Sequence, residues 1–186
     1  MRTALLALVA LAAVACSSTG GGEERAAVAE PAPTVPAMQL VGNDGETHTL
    51  ADLLADGPVY LYFIKKDCPT NDKALPWYEK VHEGLKRPKA FVGVINGDRG
   101  VYDAWNERYD AQYLVLLDPD KEWIGHFKAE RSPWVVEVLE DGDVGRVWKG
   151  YSASAIAELD AALAKTEGVL PLELDVSSLP ERNQFG

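Results

Sequence analysis

Val59-Tyr60-Leu61-Tyr62-Phe63-Ile64, then Lys65-Lys66-Asp67, then Cys68-Pro69-Thr70-Asn71, carries the chain from an apolar run through charge to a cysteine. Six consecutive apolar, β-prone residues read as a strand buried on both faces. Lys65-Lys66-Asp67 ends that strand. Cys68-Pro69 then reads as the opening of a helix, because proline is favoured at the first helical position, where its missing N–H costs nothing. Ala74, Leu75, Tyr78, Val81, His82 and Leu85 keep helical spacing as far as Arg87-Pro88.

Downstream the pattern alternates. Ala90 to Ile95 is a second buried strand, ended by Asn96-Gly97-Asp98, and Val101, Tyr102, Trp105 and Tyr109 share a helical face. Leu114 to Leu117 is a third strand, followed by a short helix from Lys121 to about Lys128. Trp134 to Leu139 and Val144 to Trp148 flank Asp141-Gly142 as a hairpin, and Ser152 to Lys165 is the last helix. Upstream, Asn43-Asp44-Gly45 turns a further hairpin, and Thr49 with Asp52 makes a capping box for a short helix. The expected fold is α/β, with a mixed central sheet and helices on both faces. Gly168 to Gly186 is a tail whose alternating Leu170, Leu172, Leu174 and Val176 make it a candidate extra strand.

The N-terminus reads as an address. Met1-Arg2-Thr3 is followed by 12 apolar residues, Ala4 to Ala15. A membrane-spanning helix needs about 20 residues, whereas this run suits a signal peptide. Ala13-Val14-Ala15-Cys16 resembles a bacterial lipoprotein cleavage box, with Ala13 where leucine is usual. That resemblance implies that residues 1–15 are removed and that Cys16 carries the lipid. Residues 16–36 then form a Gly-, acid- and Pro-rich tether without apolar periodicity, spanning about 25 Å. The expected address is the bacterial cell envelope, on the periplasmic face, with the outer membrane favoured.

Net charge is −11 over 186 residues, and removal of Arg2 makes it more negative. Such a surface repels nucleic acid and anionic headgroups, so no nucleic-acid partner is expected. The chain holds two cysteines, and lipidation of Cys16 leaves Cys68 without a partner thiol. His48, His82 and His126 lie on separate elements without ligand spacing, so neither metal nor cofactor is expected.

Residues 37–167 resemble the membrane-anchored, thioredoxin-fold thiol–disulfide oxidoreductases of the bacterial envelope and, more loosely, the AhpC/TSA-like redoxins, or peroxiredoxins. The resemblance rests on Leu61-Tyr62-Phe63 five residues before Cys68-Pro69-Thr70, on Pro76 in the following helix, on Ser132-Pro133-Trp134, and on Gly150-Tyr151 before the last helix. It implies a thioredoxin fold with an N-terminal hairpin, a cis-proline at Pro133 facing Cys68, and backbone beside Ser132 that pairs with an extended substrate. Pro69, Thr70 and Ser132 would touch that substrate. The departures are as informative. Asp67 stands where the family has tryptophan, Asn71 holds the second-cysteine slot, and Tyr62 falls where thioredoxin has its buried carboxylate.

The resemblance therefore implies one-cysteine chemistry. Cys68, exposed at a helix N-terminus beside Lys65 and Lys66, is expected to be a modestly activated thiol, with Asp67 opposing. It would exchange with envelope protein thiols and disulfides, or meet a peroxide, and would need an external thiol reductant. A peroxidase would also need an arginine over the thiolate, for which Arg131 is the candidate, and a threonine where Lys65 stands. A domain that only binds, with Cys68 inert and Asn71 a helix-surface residue, is the plainer alternative.

Overall fold

A computed structural model describes residues 37–186. The signal peptide, the lipidated Cys16 and the tether expected over residues 1–36 lie outside the described residues.

The N-terminal hairpin is β1 (Gln39–Gly42) and β2 (Thr47–Thr49). Thr49 caps α1 (Leu50–Leu54) through the predicted box, with its hydroxyl accepting from the Asp52 N–H and the Asp52 carboxylate accepting from the Thr49 N–H. Next come β3 (Val59–Ile64), α2 (Asn71–Glu83), β4 (Phe91–Ile95), α3 (Arg99–Tyr109), β5 (Val115–Leu117) and α4 (Glu122–His126). The chain closes with β6 (Trp134–Val138), β7 (Val144–Lys149) and α5 (Ala153–Glu167), the last capped by the Ser152 hydroxyl. This is the expected order of elements.

The strands form one sheet in the order β2-β1-β5-β4-β3-β6-β7. β3, β4 and β5 are parallel, while the N-terminal and late hairpins add antiparallel strands at either side. All six residues of β3 are buried, because each face of the sheet is covered. Tyr60, Tyr62 and Ile64 point into one core with α2, α3 and α5. Val59, Leu61 and Phe63 point into the other, with α1 and α4. The period of two along a strand thus divides one apolar run between two cores.

This topology positions the site. β3 continues to β4 on one side and accepts β6 on the other, so the strand order reverses at β3. In open α/β sheets the carboxyl end of such a switch-point strand is where ligands bind. Lys65 to Thr70 occupies that end.

The tail departs from expectation. Residues 168–186 form no strand, and their one sheet-like contact is an antiparallel bridge between Tyr151 and Gln184. The side chains of Leu174, Val176 and Leu179 pack on the α2/α3/α5 core, while Leu170 is 88% exposed.

Candidate active site

Cys68 sits in a tight turn between β3 and α2. Its N–H donates to the Lys65 carbonyl at 3.0 Å, and its own carbonyl accepts from the Asn71 N–H at 3.1 Å. The helix proper starts at Asn71, so Pro69 belongs to this turn and not to the first helical position. Thr70 is the N-cap, yet its side chain makes no capping bond, because its hydroxyl contacts the Cys68 thiol instead.

The thiol also donates to the carbonyl of Ser132 at 3.3 Å. The Ser132-Pro133 peptide is cis, as expected from the resemblance. Ser132 and Pro133 are carried to Cys68 by the start of β6, which pairs with β3 through Trp134 and Phe63. A strand pairing at the sheet centre therefore brings residues 68 and 132 together across the sequence.

Asn71 is not a surface residue. It is fully buried, and its amide donates to the Lys65 carbonyl at 3.0 Å. Its Oδ1 atom is buried without a protein partner. Asn71 therefore ties the turn to the end of β3. Tyr62 lies beneath, fully buried, and loss of solvation holds its phenol well above the ordinary tyrosine range.

Lys65 and Arg131 are exposed, and with Ser132 they line a cleft of about 180 Å³ on the α4 side. The Arg131 guanidinium lies 5.1 Å from the Phe185 ring centroid, whereas the hydrogen bonds of the Cys68 thiol run to Thr70 and Ser132. The expectation of an exposed thiol is overturned: Cys68 is 3% exposed. Gly186 of the tail packs against it, and a Cβ built on that glycine would lie 2.7 Å from the Cys68 sulfur. The Gly186 N–H donates to the Ser132 carbonyl at 2.9 Å, and Tyr151 and Gln184 exchange backbone hydrogen bonds in both directions. Sequence reasoning marked Tyr151 only as the lead into the last helix and missed its place at the site, and it missed residues 184–186, which no periodicity or motif marks.

Comparison with known proteins places the chain. Residues 29–149 match the AhpC/TSA family. The chain belongs to the AhpC/TSA family. No curated protein sequence matches it significantly. Among solved structures it is similar to a protein named as the thiol:disulfide interchange protein DsbE of Chlorobium tepidum, with a TM-score of 0.62 and 20% identity over 75% of this chain and 99% of that one. It is also similar to the exposed lipoprotein thioredoxin of Streptococcus pneumoniae (TM-score 0.57, 20% identity, 71% of this chain and 98% of that one). DsbF of MTB matches at a TM-score of 0.54 and 24% identity, covering 68% of this chain and 99% of that one. At these identities the shared property is the thioredoxin fold, here with an N-terminal hairpin.

Proposed function

We propose that this AhpC/TSA-family protein is a lipid-anchored envelope protein that carries out one-cysteine thiol–disulfide exchange through Cys68. The observation that carries this reading is the convergence of the Cys68 thiol on the carbonyl of Ser132, at 3.3 Å, beside cis-Pro133 at the mouth of the sheet. That carbonyl also accepts from the backbone of a passing chain segment, the tail at Gly186. A protein disulfide presented by an extended chain would thus meet the sulfur and a backbone acceptor together.

The chemistry is thiol exchange. The Cys68 thiolate attacks one sulfur of a substrate disulfide, the Cys68–substrate S–S bond forms, and the original S–S bond breaks. The leaving sulfur departs as a thiolate and takes a proton from solvent. With Asn71 in the second slot, no internal thiol resolves the adduct. An external thiol attacks the substrate sulfur of the mixed disulfide and returns Cys68 as a thiol. Pro69, Thr70 and Ser132 touch the incoming chain, and Lys65 and Arg131 give the groove a positive edge. Asn71 holds the turn.

The envelope address and the lipid at Cys16 rest on the N-terminal sequence and accord with the likeness to an exposed lipoprotein thioredoxin. The peroxidase alternative is weakened by Arg131, whose guanidinium is directed at Phe185. The binding-only alternative is favoured by one observation, the burial of Cys68. Wild type and Cys68→Ala separate the two when incubated with a peptide containing a disulfide and quenched with acid. The exchange reading expects a mixed disulfide at Cys68 that is absent from the variant; the binding-only reading expects no adduct in either.

A further inference from the structure

We infer that residues 183–186 are a built-in substrate mimic, which occupies the groove over Cys68 and must be displaced by an extended, disulfide-bearing protein chain before exchange occurs. This rests on the reading of Cys68 as the exchanging sulfur and adds how access to it is controlled.

The tail is held as an incoming chain would be held. Gln184 pairs in both directions with Tyr151, its N–H donating at 2.9 Å and its carbonyl accepting at 3.0 Å. Two residues on, the Gly186 N–H donates to Ser132 at 2.9 Å. An extended strand has that spacing, with alternate residues facing the same way. The intervening Phe185 stacks under the Arg131 guanidinium, 5.1 Å away, and Asn183 accepts from the Ser152 hydroxyl at 2.6 Å. The backbone contacts among these use acceptors and donors that any extended sequence could satisfy.

The identity of residue 186 makes the segment a mimic and not merely a cover. A Cβ at Gly186 would stand 2.7 Å from the Cys68 sulfur and 2.9 Å from Pro69 Cδ. With a free thiol beneath, a side chain at this position would force the sulfur or the segment to shift. In a mixed disulfide, by contrast, the partner cysteine Cβ stands about 3 Å from the far sulfur, given an S–S bond of about 2.04 Å. Gly186 thus occupies the place of a substrate half-cystine, without the sulfur. The fit predicts which substrate residue reacts: the one whose N–H pairs with Ser132.

The remainder of the tail anchors this end. Leu174, Val176 and Leu179 pack on the main core, whereas residues 181–186 are solvent-exposed. Local opening of the last residues can therefore proceed without unpacking the domain. A cleft of about 750 Å³ lined by Thr70, Lys73, Trp77, Leu179, Pro180 and Gln184 flanks the segment and leaves room for it to move.

The test measures alkylation of Cys68 by iodoacetamide in the full chain, read on the peptide that contains Cys68, against a chain lacking residues 183–186. The shortened chain is expected to react at least about tenfold faster, because a closed site reacts only through its open fraction. Gly186→Ala, which removes no contact but forces the Cβ clash, is expected to accelerate alkylation in the same direction. Gly186→Cys is expected to give a disulfide between Cys68 and the introduced thiol in oxidised glutathione, with glutathione as the electron acceptor. Equal alkylation rates in wild type and both accelerating variants, or absence of that crosslink, would overturn the proposal. Alkylation needs no exchange chemistry. A shortened chain that alkylates quickly yet forms no mixed disulfide upholds the tail as a cover and removes the redox reading instead.

Discussion

The Ser132 carbonyl oxygen accepts from the Cys68 thiol at 3.3 Å and from the Gly186 N–H at 2.9 Å. One atom thus joins the candidate nucleophile, the cis-proline loop and the end of the tail. The order of elements needed to bring them together spans the sheet, since Ser132 reaches Cys68 only through β6 pairing with β3.

A thiol placed at residue 71 should create a dithiol site. The Asn71 N–H donates to the Cys68 carbonyl, closing a turn. Residues so related have Cα atoms within about 7 Å, largely inside the range a disulfide spans. Asn71→Cys is expected to form an internal disulfide between Cys68 and the introduced thiol in oxidised glutathione, seen as loss of both free thiols by mass spectrometry. Failure to oxidise in a folded variant would show that the turn is set differently.

The α2 interior should make stability depend on pH. Burial pushes the Glu79 carboxyl up to about 7, with Glu83 and Asp110 acting in the same direction. The native state then holds this proton where the unfolded chain has lost it, so Glu79 lowers stability progressively from about pH 4.5 to about pH 7. Half-buried His82 is depressed instead by loss of solvation, and contributes stability that rises with pH below its ordinary value. Glu79→Gln isolates the first effect. It is expected to raise the melting temperature at pH 8 and to change it little at pH 4.5.

Arg87 clasps Glu167 at the far end of the sheet. The guanidinium Nε donates to Glu167 at 2.7 Å, the Arg87 backbone N–H donates at 3.0 Å, and the carboxylate is 1% exposed. Further bonds from Arg87 run to the Asp56 and Pro58 carbonyls. Glu167→Ala removes the buried acceptor of the partly exposed Arg87 donors and is expected to cost about 1–3 kcal/mol in urea unfolding, without altering Cys68 alkylation.

Asn43 fastens the N-terminal hairpin to the domain. Its amide donates to the Tyr102 hydroxyl at 2.9 Å and the Tyr113 carbonyl at 3.2 Å, and its oxygen accepts from the Val115 N–H at 3.2 Å. Asn43→Ala is expected to lower stability by about 1–3 kcal/mol, with the loss seen as faster amide exchange in β1 and β2.

Where burial and periodicity act locally, the fold was legible. The β3 run, the Thr49–Asp52 box and the Ser152 to Lys165 helix are each specified by neighbouring residues, and each formed within a few positions of expectation. The approach of Pro133 to Cys68 was legible only through family resemblance, because it depends on a strand pairing between distant segments. Three features were not legible. Asn71 looked like a surface residue at a helix start, but the turn folds its amide back onto Lys65. Pro69 suited a first helical position, yet the turn at Cys68 delays the helix to Asn71. The tail alternates like a strand, but after Leu174 and Val176 dock, its last residues are held by backbone bonds to Tyr151 and Ser132 that no side-chain pattern announces.

The most direct test is the fate of Cys68 when the folded chain lacking residues 183–186 meets a disulfide-containing peptide. A mixed disulfide at Cys68 is expected, released by added thiol and formed more slowly in the chain that keeps residues 183–186. A shortened chain that stays folded, alkylates readily at Cys68 and still forms no mixed disulfide would contradict one-cysteine exchange at this site.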